Sequence, residues 1–287
     1  MSFEKPGAGA LDYELCRYGK SRIAFRGPRK RLDGSHIAFI GGTETFGKFV
    51  AEPFPELVEQ ALGLPCANFG WGNAGIDVFL NEPAVTDAAR QAQVTVIQVM
   101  GAHNMSNRFY RVHPRRNDRF IGASQTMKMI FREVDFTEFN FTRHLIGRLA
   151  ARAPDRFPLI WEELRAAWLA RMQMLINVIE SDVILLWAAD RTPDQATSDP
   201  GPGRDPVFVD RLLIEQLRPM VRDIVEVEYS VKARDAGTEG MVFDELDRPA
   251  AERTPGPRAH VEMATALVPV IEDVMAKKRP TTGAGLS

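Results

Sequence analysis

His36-Ile-Ala-Phe-Ile-Gly-Gly-Thr43-Glu-Thr-Phe-Gly47 is the stretch of sequence that decides the fold. A short apolar run ends in two glycines, a hydroxyl residue and, four positions on, another glycine. This pattern is typical of a buried strand that turns sharply into a helix at the edge of a sheet, because glycine tolerates the turn and the helix start offers free N–H groups. The stretch predicts a site near Thr43, and it leaves open a tight turn in which the threonine only caps the helix.

Four further apolar runs read as strands: residues 65–69, 94–100, 182–188 and 224–229. The run 94–100 is almost continuously apolar, which favours a parallel strand covered on both faces, whereas 224–229 alternates as an edge strand does. Helical spacing separates the runs, over residues 56–62, 76–90, 158–180, 208–222 and 259–277. The alternation predicts an α/β protein, a three-layer α/β/α sandwich around a five-stranded, doubly wound parallel sheet of flavodoxin-like type.

The sequence shows no internal repeat and predicts one domain over residues 36–278. Residues 1–35 are expected to form an N-terminal arm with one short helix and a solvated basic run, Arg26 to Arg31. Residues 104–154 interrupt the strand and helix rhythm and predict an arginine-rich insertion with short helices, which covers a site. The tail, residues 279–287, is predicted to be disordered.

Composition limits the function classes. The net charge of −2 argues against a general nucleic-acid or membrane-surface binder. No apolar stretch approaches the roughly 20 residues that span a bilayer, and the N-terminus lacks the apolar core of a signal peptide. The two cysteines form neither a metal pattern nor a disulfide framework. We therefore expect a cytoplasmic protein that acts on a small-molecule or carbohydrate-like substrate, with no nucleic-acid or membrane partner.

Candidate site residues follow the predicted strands. In doubly wound sheets, ligands bind outside the carboxyl ends of the strands. The residues that the sequence places there, or at the start of the last helix, are Thr43, Gly72, Asn73, Gly75, His103, Asn104, Asp190, Arg191 and His260. A hydroxyl, backbone N–H groups in glycine turns, amides and a histidine are the parts that acyl transfer requires. Each also has a simpler explanation, as a helix cap, a turn residue or a surface histidine.

Four blocks together resemble the SGNH (GDSL-like) hydrolase superfamily of esterases, lipases and carbohydrate O-acyl hydrolases or transferases. They are Gly41-Gly-Thr43-Glu-Thr-Phe-Gly47, Asn68-Phe-Gly70-Trp-Gly-Asn73-Ala-Gly75, Gly101-Ala-His103-Asn104 and Pro257-Arg-Ala-His260. The resemblance implies that Thr43 is the nucleophile and His260 the base. It also implies that the backbone of residues 72–75, with Asn104, supplies the oxyanion donors.

The chain departs from the family pattern at three positions. Thr43 replaces the nucleophilic serine, His103 stands at the place of the oxyanion asparagine, and Pro257 stands where an aspartate orients the histidine. Without an orienting carboxylate the tautomer of the histidine is unfixed, unless another acid substitutes. The sequence offers Asp190, Asp244 and Asp247 for that role. The departures keep a second hypothesis open, a non-catalytic member of the fold that binds a ligand or partner in the same cleft.

The insertion carries one more candidate site. One acid, Asp118, accompanies six basic residues within twelve positions, Arg108, Arg111, His113, Arg115, Arg116 and Arg119. Arginine forks suit phosphate, sulfate or carboxylate groups, so a transferase that holds such a donor is a third hypothesis. The simpler interpretation is a solvated face with salt bridges to Glu133, Asp135 and Glu138. We predict no metal, because His103 and His113 lack the spacing of a helical zinc pair and lie in a loop dominated by cations. We predict no cofactor, since the glycine turn lacks the lysine of a phosphate-binding loop and the third glycine spacing of a dinucleotide fingerprint.

Overall fold

The computed structural model describes residues 11–198 and 202–278, and the predicted strands form its centre. Five buried runs make one parallel sheet, which consists of β1 Ile37–Gly41, β2 Cys66–Gly70, β3 Val94–Gln98, β6 Asp182–Ala189 and β7 Asp223–Glu228. A second sheet is an antiparallel pair, β4 Tyr110–His113 and β5 Arg116–Ala123.

The strand order of the large sheet is β2-β1-β3-β6-β7. The chain runs from β1 outward to β2 and then returns to the other side of β1, so the order reverses between β1 and β3. Phe39 of β1 is accordingly in register with Asn68 of β2 on one side and Val96 of β3 on the other. The predicted α/β class and the doubly wound topology are confirmed. The reversal opens a crevice at the carboxyl ends of β1 and β3, where such folds bind their ligands.

The helices of the described residues are α1 Thr43–Phe46, α2 Phe54–Leu62, α3 Ile76–Leu80, α4 Pro83–Gln91, α5 Gln125–Ile130, α6 Thr142–Arg152, α7 Phe157–Ile179, α8 Pro193–Ser198, α9 Arg211–Glu215, α10 Val231–Asp235, α11 Arg248–Ala251 and α12 Pro257–Lys278. Short 3₁₀ segments lie at Phe136–Glu138, Arg218–Met220 and Glu245–Asp247.

Two hydrophobic clusters cover the faces of the sheet. Alternate residues of one strand point to opposite faces, so Ile37 and Phe39 pack with α2 and α12, whereas Ala38 and Ile40 pack with the other cluster. That second cluster includes the long helix α7 through Leu164, Trp168 and Met172. The sheet is therefore the middle of three layers, as predicted.

Two predicted helices differ from the observed ones. The segment 76–90 breaks at Asn81, whose side-chain amide donates to the Asp77 carbonyl at 2.7 Å, and a new helix starts at Pro83. The segment 208–222 shortens to α9, because Phe208 has a φ of 62° and Pro219 lies in a separate 3₁₀ turn. The insertion contains short helices, as predicted, together with the β4–β5 hairpin, which the sequence did not indicate.

Residues 11–35 pack against the sheet and form no helix, and the rest of the arm, in which a short helix was also expected, lies outside the described residues. Tyr18 and Phe25 contact the ring of Phe69 in β2, with centroid distances of 5.2 and 5.3 Å. The tail from residue 279, predicted to be disordered, lies outside the described residues. Within the described part of the chain, no helix is both long and apolar enough to cross a membrane.

Candidate active site

Thr43 lies at the carboxyl end of β1, as the first residue of α1, and its side chain is half-buried. Position 41, two residues earlier, must be a glycine because the turn has no room for a side chain: a Cβ at Gly41 would lie 2.1 Å from Thr45 Oγ1. The hydroxyl of Thr43 accepts a hydrogen bond from the Asn73 N–H at 2.9 Å. The first two blocks of the sequence thus meet at this hydroxyl.

Asn104 joins the same network from the loop after β3. Its side-chain NH₂ donates to the Asn73 carbonyl at 3.1 Å, and its side-chain oxygen accepts from the Thr142 hydroxyl at 2.6 Å. Asn104 is 6% exposed, so these bonds form inside the protein and hold its orientation. Residues predicted from three separate strand ends therefore come together around Asn73.

In the glycine turn after β2, residues 70–75, one backbone N–H group has no hydrogen-bond partner among the described residues. Gly75 N–H donates to Asn117 Oδ1 at 3.1 Å, and Asn73 N–H is used by Thr43. Gly72 is exposed, and among the described residues its N–H has no hydrogen-bond partner. Gly75 is sterically required, since a Cβ there would lie 1.5 Å from the Asn104 carbonyl oxygen, whereas a Cβ at Gly72 would meet nothing within 4 Å. The turn can therefore offer the Gly72 N–H to a ligand.

His260 is buried in the layer of α2 and α12. Its Nδ1 accepts a hydrogen bond from the Phe54 N–H at 3.1 Å, and its ring stacks on Phe54 at a centroid distance of 5.9 Å. Burial and the nearby Arg26 guanidinium lower the pKa of His260 to about 3, so the ring is neutral at pH 7. A neutral ring that accepts at Nδ1 carries its proton on Nε2. Its described hydrogen bond leads to α2 and not to Thr43.

His103 is also buried, at 5% exposure, and burial lowers its pKa to about 4. Its Nδ1 lies against Gly101 and, within the described residues, has no hydrogen-bond partner. The backbone carbonyl of His103 accepts from the Tyr110 hydroxyl at 2.6 Å. This contact fixes the start of the insertion against the loop after β3.

Three other predicted site residues, Arg108, Asp190 and Arg191, form ion pairs or backbone contacts away from Thr43. Arg108 pairs with Glu163 at 3.2 Å, and Asp190 pairs with Arg204 at 2.8 Å. Arg191 is 2% exposed, and its carbonyl accepts from the Trp187 indole N–H at 2.8 Å. These contacts anchor the insertion and the loop after β6 and do not lead to Thr43.

Two residues that the sequence did not single out complete the site. Gln98, at the end of β3, uses its side-chain oxygen to accept from the Gly42 N–H at 3.0 Å and the Thr45 hydroxyl at 2.6 Å. Its NH₂ donates to Glu44 Oε2 at 2.9 Å. Burial, together with the nearby Asp205 carboxylate, raises the pKa of Glu44. The available signal was a lone amide at the end of a nearly apolar strand.

The third missed residue is Arg26, which the sequence placed in a solvated basic run. Its guanidinium is buried and donates to the carbonyl oxygens of Phe46, Gly47 and Ala51 at 3.3, 2.7 and 2.6 Å. The arm thus holds the carboxyl end of α1, the helix that begins at Thr43.

Fold and site together define an α/β/α sandwich protein whose candidate cleft lies at the topological switch point, around a threonine hydroxyl. The sequence matches a family described as a domain of unknown function, DUF6473, over residues 1–275, and the chain belongs to that family. No curated protein matches the sequence.

Among solved structures, the chain is similar to a member of the lipolytic protein G-D-S-L family from Veillonella parvula, at 11% identity and a TM-score of 0.38, covering 82% of this chain and 97% of the other. A lipase from a goat rumen metagenome gives 12% identity, a TM-score of 0.38 and coverages of 81% and 95%. A two-domain esterase active on acetylated mannans gives 12% identity and a TM-score of 0.41, covering 90% of this chain and 55% of the other. The activities named are those of the other proteins.

Proposed function

We propose that this protein is an ester hydrolase or O-acyltransferase that acts on a polar substrate, either glycosylated or anionic. The hydrogen bond from Asn73 N–H to Thr43 Oγ1 carries the proposal, because it joins the end of β1 to the glycine turn at the switch point. A hydroxyl that accepts this bond can still donate its own proton to a base. The half-buried position of Thr43 leaves the hydroxyl within reach of a ligand.

In the proposed reaction, Thr43 Oγ1 forms a bond to the carbonyl carbon of the ester, and the carbonyl oxygen takes the negative charge. The Gly72 N–H and the side-chain NH₂ of Asn104 stabilise that oxyanion. The threonine proton passes to a base and then to the departing alkoxide as the carbon–oxygen bond breaks. Water, or the hydroxyl of an acceptor, then releases the acyl group from Thr43.

His260 is the base that the sequence resemblance implies. Its lowered pKa supports a neutral ring at working pH, but a pKa of about 3 makes it a weak proton acceptor. Its Nδ1 is also engaged by the Phe54 N–H. This observation favours the second candidate function, a cleft of the same shape that binds its ligand without cleaving it.

Four purified variants separate the two functions. Thr43→Val keeps the shape of the side chain and removes the hydroxyl, so we expect hydrolysis of p-nitrophenyl acetate and of acetylated sugars to fall about 10³-fold. Thr43→Ser keeps the hydroxyl without the methyl group and should retain or raise the rate. His260→Gln should lower the rate only if His260 is the base, and Val261→Ala, at an exposed neighbouring position, is its control.

No turnover by the wild-type protein, or turnover that survives Thr43→Val, would contradict the esterase proposal. Ligand binding that persists in the absence of turnover would support the second function. Loss of activity in Thr43→Val but not in His260→Gln would keep Thr43 as nucleophile and assign the proton transfer to another group.

A further inference from the structure

A basic groove lies between the N-terminal arm and the turn of the β4–β5 hairpin. It has a cavity volume of about 330 Å³. Lys20 and Arg22 line it from the arm, Asn81 and Glu82 from the end of α3, and Arg115 from the hairpin turn. Three cations and one carboxylate give the lining a positive balance, although the chain as a whole has a net charge of −2.

The cations of the groove differ from Arg108 and Arg116 of the insertion in having no acidic partner among the described residues. Within the described residues, Lys20, Arg22 and Arg115 form no salt bridge. By contrast, Arg116 of the same hairpin pairs with Asp118 at 3.7 Å, and Arg108 pairs with Glu163. Some arginines of the insertion are thus neutralised by salt bridges, whereas Arg115 is not. Across the groove, Arg115 faces Lys20 and Arg22 of the arm, which also lack salt bridges.

The arm supplies charge over a stretch that contains no acid. Between Leu15 and Leu32 there are seven Lys and Arg residues and no Asp or Glu. The turn that carries Lys20 and Arg22 is ordered by Ser21, whose hydroxyl accepts from the Ile23 N–H at 3.0 Å, while its N–H donates to the Tyr18 carbonyl at 3.0 Å. The two cations are therefore presented by a structured turn.

The opposite wall is tied directly to the candidate active site. The Trp71 indole N–H donates to the Arg115 carbonyl at 2.7 Å, and the Trp71 backbone N–H donates to the Gly41 carbonyl at 3.0 Å. Asn117 is fully buried, and its Oδ1 accepts from the N–H groups of Gly75 and Val78 at 3.1 Å each. The segment that places Asn73 against Thr43 thus also holds the groove wall.

We propose that this groove is a substrate subsite for an anionic group, a carboxylate, sulfate or phosphate, on an acidic oligosaccharide. Guanidinium forks match the geometry of such oxyanions, and charges that are already held apart cost little to organise on binding. The groove is small, and Trp71 connects its wall to the carbonyl of Gly41 at the Thr43 turn, which favours one segment of a substrate over a long polymer surface. This inference rests on the proposed function, because the groove is a substrate subsite only if the site around Thr43 is the active site.

The test measures binding and does not depend on turnover. Trigalacturonate, inorganic sulfate and inorganic phosphate are titrated against the full chain by isothermal calorimetry at low salt, with neutral maltotriose as a reference. We expect Arg22→Ala/Arg115→Ala to raise the Kd for trigalacturonate at least tenfold. The matched control, Arg148→Ala/Arg152→Ala, removes the same charge from exposed positions on α6 and should leave that Kd within twofold.

Several outcomes would overturn the subsite. Equal loss of affinity in both double variants would show a nonspecific charge effect, and equal affinity for maltotriose would show that charge is not recognised. Binding of single-stranded DNA as tight as that of trigalacturonate would point to a general polyanion surface. The relative affinities for trigalacturonate, sulfate and phosphate identify which oxyanion the groove prefers. Specific trigalacturonate binding without ester turnover would support the subsite and contradict the esterase proposal. Ester turnover without specific trigalacturonate binding would support the esterase proposal and contradict the subsite.

Discussion

At the scale of single residues, one side-chain amide organises the turn that carries Thr43. The N-cap of helix α1 is Gly42, which has no side chain to cap the helix. Gln98 supplies the missing acceptor from β3, since its oxygen lies 3.0 Å from the Gly42 nitrogen and 3.3 Å from the Thr45 nitrogen. Gly42 is the N-cap and Thr45 is the third residue of the helix, and both N–H groups belong to the helix start, where no carbonyl of the helix can accept from them. Gln98, a residue of the neighbouring strand, thus supplies the capping acceptor that the sequence around Gly42 lacks.

Replacement of Gln98 tests this role. Gln98→Met keeps the length of the side chain but leaves buried donors without an acceptor, so we expect the free energy of unfolding to fall by about 2–4 kcal/mol. Urea denaturation followed by circular dichroism measures the change. Gln216→Met is the control, because Gln216 is exposed and bonds only to its own helix turn, at Leu212. A loss no larger than that of the control would mean that α1 does not depend on Gln98.

At the scale of elements, the N-terminal arm behaves as a clamp on α1. The guanidinium of Arg26 satisfies three carbonyl oxygens of residues 46–51, and burial lowers the pKa of Arg26. Tyr13 adds a contact to the same loop, since its hydroxyl accepts from the Phe49 N–H at 3.1 Å. The arm therefore supports the turn around Thr43 from outside the sheet.

Arg26→Met should release the arm. It removes three charge-assisted hydrogen bonds and leaves buried carbonyls unpaired, so we expect a loss of about 3 kcal/mol in the free energy of unfolding. Limited trypsin digestion should then cut faster within residues 11–35. Arg17→Met is the matched control, because Arg17 is exposed. If the two variants unfold at the same urea concentration and are cut at the same rate, the clamp is not needed for stability.

The elements themselves were largely predictable from the sequence. Apolar runs marked every strand of the parallel sheet. The inner strands are buried on both faces and therefore read as continuous apolar runs, whereas β7 keeps the alternation of an edge strand. The β4–β5 hairpin was not predicted, since Arg116 to Arg119 are polar and the pairing depends on contacts with the rest of the insertion. Arg26 could not be placed either. Its partners lie 20 to 25 positions along the chain, and a basic residue in a basic run gives no sign of burial.

The location of the candidate site was easier to predict from the sequence than the chemical roles of its residues. The sequence indicated correctly that the residues of three strand ends lie close together, because parallel strands end at one edge. The roles of Thr43 and His260 remain predictions. A motif cannot tell which histidine nitrogen receives a hydrogen bond, and here Nδ1 is occupied by a backbone group of a helix more than 200 residues earlier in the chain.

At the scale of the whole molecule, buried histidines link stability to pH. Burial is the largest cause of the lowered pKa of His36, His103 and His260. The unfolded chain takes up a proton at each histidine near pH 6.5, whereas folded His103 and His260 do so only near pH 4 and 3. Between these values the unfolded state binds more protons, so stability falls as the pH falls. The raised pKa of Glu44 opposes this trend, because folded Glu44 takes up its proton at a higher pH than the unfolded chain does.

The free energy of unfolding should therefore decrease from pH 7.5 to pH 5, by about 2 kcal/mol for each of the two most strongly shifted histidines. Urea denaturation at half-unit pH steps gives the slope, which reports the difference in bound protons. In His260→Asn the amide oxygen can still accept from the Phe54 N–H but cannot titrate, so the slope should fall by about one proton. His144→Asn, the same substitution at an exposed position, is the control. An equal slope in wild type and His260→Asn would show that folded His260 takes up its proton over the same pH range as the unfolded chain, and is therefore protonated in the folded state at pH 5. In that case the ring could not accept from the Phe54 N–H.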